Sequence, residues 1–458
     1  MNYIISILAV LQALYLMKRV QKGRSRVVCL IYFQIIFNLI IKFIVGNTVV
    51  PSMFNYISDV VTVWILAEYF HQTGGKITSI PRNMLIFSGL LMGISILSYL
   101  MNFYSPLLYL WGARNNFRFL VFGMMCVAYL EKRDIGQIMD ILFCFFLSNI
   151  LVVTYQVFSV SYGAASVGDF ISGLYSNGTE RGGNGAMGWL MCLVCAYEAV
   201  RYLNGQMHGR RLAVSIIGSL YIAAVAEIKL FFLEIVVIGV LAMLFCKKTR
   251  RTLRFAALSA AALLVGVELL YLLFPQFAGF FRLRSMIRYV SSDHGYNSTG
   301  KNGGLDRLTA VSYTLRYFLT TWPRKLLGIG LGNADFSSYS FLTSDFYRKN
   351  GWNGYTYFST SMVTLELGLV GLGAYYLWFL NLLGCALKTP VQSTEENSIR
   401  IFSGISAVIA FLMIFSNQTM KLEASAYMVQ CVLAFPYILR KQGKKSGSPA
   451  CDREFSCI

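Results

Sequence analysis

Glu227 and Lys229 stand near the turn of an apolar hairpin, and Glu234 follows seven positions after Glu227, on the same face of any helix that runs through both. Burying an ion in hydrocarbon is costly, so charges placed this way face a partner or a cavity. The structural reading is an internal ion pair; the chemical one is a carboxylate that takes a proton beside an ammonium that holds an anion. In Trp111-Gly112-Ala113-Arg114-Asn115-Asn116-Phe117-Arg118, the two arginines lie four apart and project the same way on a helix. Paired guanidinium forks suit the several oxygens of a diphosphate, although arginines at the ends of spans also snorkel to headgroups. The glycine-rich stretch from Gly168 to Gly185, which includes Arg181, lets backbone N–H groups approach a ligand and serves equally well as a turn. A fourth group is Asp306, Arg307 and Arg316, with His294 upstream. Leu305 through Trp322 reads as an amphipathic helix ended by Pro323, which sets Arg307 and Arg316, nine apart, on opposite sides of it. The three histidines have no second ligand at a usable spacing, so no metal site is expected. Gly328-Ile329-Gly330-Leu331-Gly332-Asn333 lacks the strand and the acidic residue of a dinucleotide fingerprint.

These residues must be positioned by helices in a membrane. The chain has 458 residues, 56% of them hydrophobic and 13% charged, with a mean hydropathy of +0.57. A soluble fold has too few polar residues to cover that much apolar surface, and disordered, collagenous and nucleic-acid-binding classes are excluded with it. Apolar runs give an all-α polytopic protein with about thirteen crossings, at roughly 2 to 17, 27 to 45, 53 to 70, 83 to 100, 117 to 130, 141 to 160, 186 to 203, 212 to 227, 229 to 246, 255 to 274, 360 to 380, 401 to 417 and 424 to 440. The net charge of +19 falls largely on alternate connections, such as Lys18 to Arg26, Lys132-Arg133, Arg210-Arg211 and Lys247 to Arg254, and on the tail from Arg440. By the positive-inside rule these share the cytoplasmic side, with the N-terminus outside and 441–458 a basic cytoplasmic tail. The region 212–246 is the least regular, because two short spans must turn near Glu227 without Gly or Pro. All ten cysteines fall in spans or cytoplasmic segments, so no disulfide is expected, and Cys192 and Cys195 read as helix packing.

The whole of 1–458 forms one transmembrane domain, and 275–358 is a long extracytoplasmic cap within it, carrying ten basic residues against four aspartates. Long loops escape the positive-inside bias, so this excess points either to an anionic substrate or to anionic headgroups.

Two stretches resemble the bacterial O-antigen ligase and polymerase superfamily, the Wzy-type polysaccharide polymerases in particular. One is Asp306-Arg307 followed by Trp322-Pro323-Arg324-Lys325-Leu326-Leu327-Gly328-Ile329-Gly330-Leu331-Gly332-Asn333; the other is Leu365-Glu366-Leu367-Gly368-Leu369-Val370-Gly371-Leu372-Gly373, which opens the next span. Their order across one large outer loop matches the family, as do the Gly168-Asp169 loop, Arg114 and the Glu227–Lys229 pair. The ligases commonly carry a histidine nine residues before the glutamate that Glu366 matches; here that position is Tyr357, which favours the polymerase.

The resemblance implies glycosyl transfer outside the bacterial cytoplasmic membrane, from one polyprenyl-diphosphate-linked oligosaccharide to the sugar end of another, in the making of O-antigen, capsular or exopolysaccharide. It implies no cofactor, no metal and no nucleic acid. Its partners are the bilayer and the pathway's chain-length regulator and flippase. Arg307, Arg114, Arg118 and Lys229 are candidates to hold the diphosphate, and Glu227 to act as base, with Asp306 and His294 as alternatives. Arg181, Arg316 and Glu366 complete the expected substrate site. Three alternatives stay open: ligase-type transfer to another acceptor, a flippase or transporter of lipid-linked oligosaccharide, and a scaffold that performs no reaction.

Overall fold

The computed structural model describes residues 2–159, 170–176, 183–246, 249–273, 275, 305–418 and 420–445. The described residues form helices and turns, as a chain must that satisfies its own backbone polar groups inside hydrocarbon. Among the described residues ten α-helices precede the cap: α1 (Asn2–Gln21), α2 (Arg26–Asn47), α3 (Ile57–Thr73), α4 (Arg82–Asn102), α5 (Pro106–Tyr129), α6 (Lys132–Ser159), α7 (Asn184–Leu203), α8 (Gly209–Val225), α9 (Lys229–Phe245) and α10 (Arg250–Leu273). Four follow it: α11 (Ser359–Leu387), α12 (Thr394–Met413), α13 (Glu423–Leu433) and α14 (Phe435–Lys445). Among the described residues, eight helices (α1, α2, α4, α6, α7, α10, α11 and α12) are long and apolar enough to cross a membrane. The expected count near thirteen therefore leans on shorter or more charged helices; α3, α8 and α9 have 17 residues each.

Helix α7 is the axis of the bundle. It is buried on nearly every side and packs against α6, α8, α9 and α12, which is how a helix apolar all round behaves. Its Cys195 thiol lies 3.5 Å from the Ser215 carbonyl and 3.3 Å from the Ser219 hydroxyl, and Cys192 donates to Glu234 Oε2 at 3.3 Å. The first contact is packing; the second gives a thiol to a buried carboxylate.

The alternation of basic connections along the chain becomes one basic end of the bundle. There Arg24 pairs with Asp134 at 2.6 Å, Lys132 with Glu396 at 3.0 Å, and Arg211 with Glu198 at 3.1 Å and Asp140 at 2.8 Å. Arg440 donates to the Cys385 carbonyl at 2.9 Å, and Lys441 to the Val127 carbonyl at 3.2 Å. Ser393 caps α12 by accepting from the Glu396 N–H, and Glu396 reaches back to the Gln392 N–H at 2.7 Å, so the charges that gather here also close helix ends.

At the other end, α8 and α9 meet in the turn the sequence leaves unmarked. Glu227 itself takes the left-handed backbone, φ +53°, a conformation that favours glycine. The Ile228 N–H then reaches the Ala223 carbonyl at 2.9 Å and closes α8.

The cap has its own small core of Leu305, Ala310, Leu319, Ile329, Tyr355 and Phe358, continued into α11 by Met362 and Leu365. The helix expected from Leu305 to Trp322 is not formed. A short helical turn at Ala310–Tyr313 passes into a π-helical turn at Thr314–Phe318, and a new helix runs from Trp322 to Leu327. Pro323 opens that helix and does not end the earlier one: its missing N–H falls in the first turn, where no acceptor is needed.

After this helix the glycine run crosses the ends of α4, α5 and α11. Helix α11 is interrupted at Gly368 (φ +67°, ψ −167°), and its interrupted carbonyls are taken up by the cap. The Ile329 N–H reaches the Leu365 carbonyl at 2.8 Å and the Gly330 N–H the Glu366 carbonyl at 3.2 Å, while Asn102 of α4 donates to the Gly328 carbonyl at 3.1 Å. Gly332 (φ +78°) sits so close to α5 that a Cβ there would lie 2.0 Å from the Leu108 carbonyl oxygen. Gly332→Ala is therefore expected to cost about 1–3 kcal/mol, through overlap and left-handed strain together; thermal unfolding in detergent checks it, and an unchanged midpoint contradicts the close approach.

Candidate functional site

The capped end gathers charges into three neighbouring groups. In the first, Arg114 and Arg118 of α5 do point one way, as their spacing requires, but toward carboxylates. Arg118 lies 2.7 Å from Asp59 of α3 and 2.6 Å from Glu423 of α13; Arg114 pairs closely with the same Asp59 and lies 3.3 Å from Glu423. The Arg114 guanidinium also sits 4.9 Å from the Tyr56 ring and 4.5 Å from the Trp111 ring. Two cations and two anions thus tie α3, α5 and α13 together, and both arginines are matched by side chains of the protein itself.

The second group joins the two stretches that carry the family resemblance. Glu366, with 1% of its side chain exposed, accepts from the Gly332 N–H at 2.9 Å and pairs with Lys421 at 2.5 Å. Burial works against the ammonium of Lys421, which lies in the connection between α12 and α13. The carboxylates of Glu366 and Asp335 outweigh that effect and hold its pKa above the usual lysine value. Asp335 is in turn reached by Asn115 of α5 at 2.9 Å, which links this group to the first.

The third group lies where the cap meets the α8–α9 turn. Lys229 is 3.8 Å from Glu227, and Arg307 acts electrostatically on Glu234, a carboxylate with 4% exposure in α9. Asp306, also buried, uses Oδ1 to accept from the Arg307 N–H at 2.6 Å, and its own N–H donates to Thr309 Oγ1 at 3.0 Å; it shapes the turn that presents Arg307. Asn184 at the start of α7 donates to the Ala226 carbonyl at 3.3 Å and receives the Ser172 hydroxyl at 2.8 Å, so the end of the glycine-rich loop borders this group.

Of the expected site residues, Glu227, Lys229, Asp306 and Arg307 lie around this third group; Arg114, Arg118 and Glu366 belong to the first two. Arg316 is not brought in. It is exposed, its guanidinium 5.6 Å from the ring of its neighbour Tyr317, because the π-helical turn carries it to the outside of the cap. Arg181 and His294 lie outside the described residues. Sequence reasoning missed Asp59, Asp335, Lys421 and Glu423. For Lys421 a signal existed: it is the one charged residue in 414–422, a connection that the positive-inside pattern leaves free of basic residues. Asp59 and Glu423, acidic residues at the mouths of apolar runs, answer Arg114 and Arg118 in the same way.

No family model matches the chain, and no curated protein matches it. The chemistry open to this end follows from the arrangement itself. Lys229 offers an ammonium beside Glu227, and Arg307 is a guanidinium that acts on Glu234, in a protein whose cap is fixed to the helix ends through Gly332 and Glu366. Such a place can hold an anionic group and move a proton next to it.

Proposed function

We propose that the chain is a multi-pass glycosyltransferase of the Wzy polysaccharide-polymerase kind, which extends polyprenyl-diphosphate-linked oligosaccharides. Its basic end and the 441–458 tail lie in the cytoplasm of a bacterium, and about thirteen crossings bring the capped end to the outer side of the inner membrane. The observation that carries this reading is the junction of Gly332, Glu366 and Lys421. There the two stretches behind the resemblance meet, and the cap that carries Arg307 is pinned to the bundle.

In the reaction, a hydroxyl of the acceptor sugar attacks the anomeric carbon of the donor, and the bond from that carbon to the lipid diphosphate breaks. The leaving diphosphate takes the electron pair, and Arg307 and Lys229 stabilise its growing charge. Glu227 takes the proton of the attacking hydroxyl; its left-handed backbone holds it at the turn between two helices. Backbone strain of this kind is commonly stored at functional sites. Arg114 and Arg118, matched by Asp59 and Glu423, hold helices in this scheme and leave the diphosphate to the third group.

The test is the purified protein in liposomes supplied with lipid-linked repeat units, its products resolved on a gel. A ladder of longer chains is the expected result. Redistribution of unit-length lipid between leaflets without elongation points to a flippase, transfer to a non-polymeric acceptor to a ligase, and inert protein to a scaffold. Orientation has its own test. An enzyme reporter active only outside the cytoplasm, inserted at Ser338, is expected to be active, and one inserted at Gly205 silent; the reverse pattern overturns the placement of the site.

A further inference from the structure

Beside the first charge group lies an aromatic face that the proposed transfer step leaves unused. Tyr56, at the entrance to α3, stacks on Tyr339 of the cap with centroids 6.4 Å apart and lies 6.5 Å from Trp111 of α5; Phe341 follows at 5.8 Å from Tyr339. Tyr339 is 42% and Phe341 65% exposed, so ring faces remain open. The carboxylates beneath keep part of their surface as well, 21% for Asp59 and 25% for Glu423, and Asp335 holds Asn115 alongside. With Lys421 and Glu366 included, three cations stand against four carboxylates here. Arg348 on the flank, which donates to the Ser340 carbonyl, is balanced by Asp345 at 3.3 Å.

We infer that this face is a glycan-binding subsite for neutral or amino sugars, and that it seats the acceptor saccharide. Open rings offer a flat apolar platform to the C–H face of a pyranose, as aromatic groups do for other partly polar surfaces. The adjacent carboxylates accept from sugar hydroxyls or an ammonium. The surplus of carboxylate disfavours uronic acids, and it equally disfavours anionic lipid headgroups, which an interfacial aromatic belt would otherwise meet. The acceptor role rests on the glycosyl transfer proposed above; glycan binding by itself does not.

The test uses full-length protein in nanodiscs of zwitterionic lipid, probed with free neutral, amino and uronic-acid tetrasaccharides. Neutral and amino glycans are expected to bind and the acidic ones not. Tyr339→Ala is expected to weaken binding roughly three- to tenfold, the worth of one aromatic contact. Trp352→Ala, which removes another exposed aromatic of the cap, is expected to leave binding unchanged. Because Tyr339 is exposed, its loss leaves the fold intact, and size-exclusion elution verifies this. Absence of binding, preference for the acidic glycans, or equal loss in the Trp352→Ala protein overturns the subsite. So does quenching at Trp111 by brominated lipid that sugar fails to relieve. Elongation without glycan binding discards this inference alone; glycan binding without elongation discards the transfer.

Discussion

Lys421→Met is expected to destabilise the protein by about 3–5 kcal/mol, the cost of leaving a buried charge without its partner. Glu366 has 1% of its side chain exposed, and Lys421 is its only cationic contact among the described residues; the Gly332 N–H offers no full charge in return. The lost pair also loosens the cap, because Lys421 steadies the carboxylate whose other oxygen receives the Gly332 N–H. Thermal unfolding in detergent reads the loss. Glu366→Gln added to Lys421→Met is expected to restore much of the stability, since the amide carries no charge and can still accept from Gly332. A double variant as weak as the single one contradicts the pairing. The pH dependence has a fixed sign. The Lys421 pKa is raised in the folded protein, so its share of stability is whole below the ordinary lysine value of 10.5 and is lost as pH climbs through the raised one.

Arg307→Ala is expected to slow elongation by roughly 10²–10³-fold, the usual consequence of removing a fixed donor aimed at developing negative charge. Arg307→Lys is expected to recover part of that rate, because the charge returns without the planar fork. Arg307 is half-buried and belongs to a turn shaped by Asp306, so unfolding midpoints must accompany the rates. Equal rates for Arg307→Ala and the unsubstituted protein remove Arg307 from the reaction. A drop in rate together with a drop in midpoint assigns it to structure.

Local pattern carried much of the architecture. A helix stands over each apolar run, and the alternation of Lys and Arg along the chain becomes a single basic end, because both follow from one-dimensional periodicity and burial cost. Glu366 and the glycine run were also visible in the sequence, and the structure joins them through the Gly332 N–H to the Glu366 carboxylate and the Gly330 N–H to the Glu366 carbonyl. Long-range pairing stayed hidden. The four-residue spacing of Arg114 and Arg118 fixes their common direction but not what lies there. Asp59 is 55 residues before Arg114 and Glu423 is 309 after it, and nothing local connects them. Pro323 does not reveal its role locally, because a proline opens a helix as readily as it closes one, and the preceding turn ends in a π-helical register. The bend at Glu227 had no glycine to announce it.

The interruption of α11 at Gly368 bears on how such a protein can be rebuilt. Its opened backbone is completed by residues 329 and 330 of the cap. Lid and bundle are thus one hydrogen-bonded weave and not interchangeable modules. A chimera that borrows another protein's lid leaves the Leu365 and Glu366 carbonyls unmatched unless it imports the opening turns of that neighbouring helix with it.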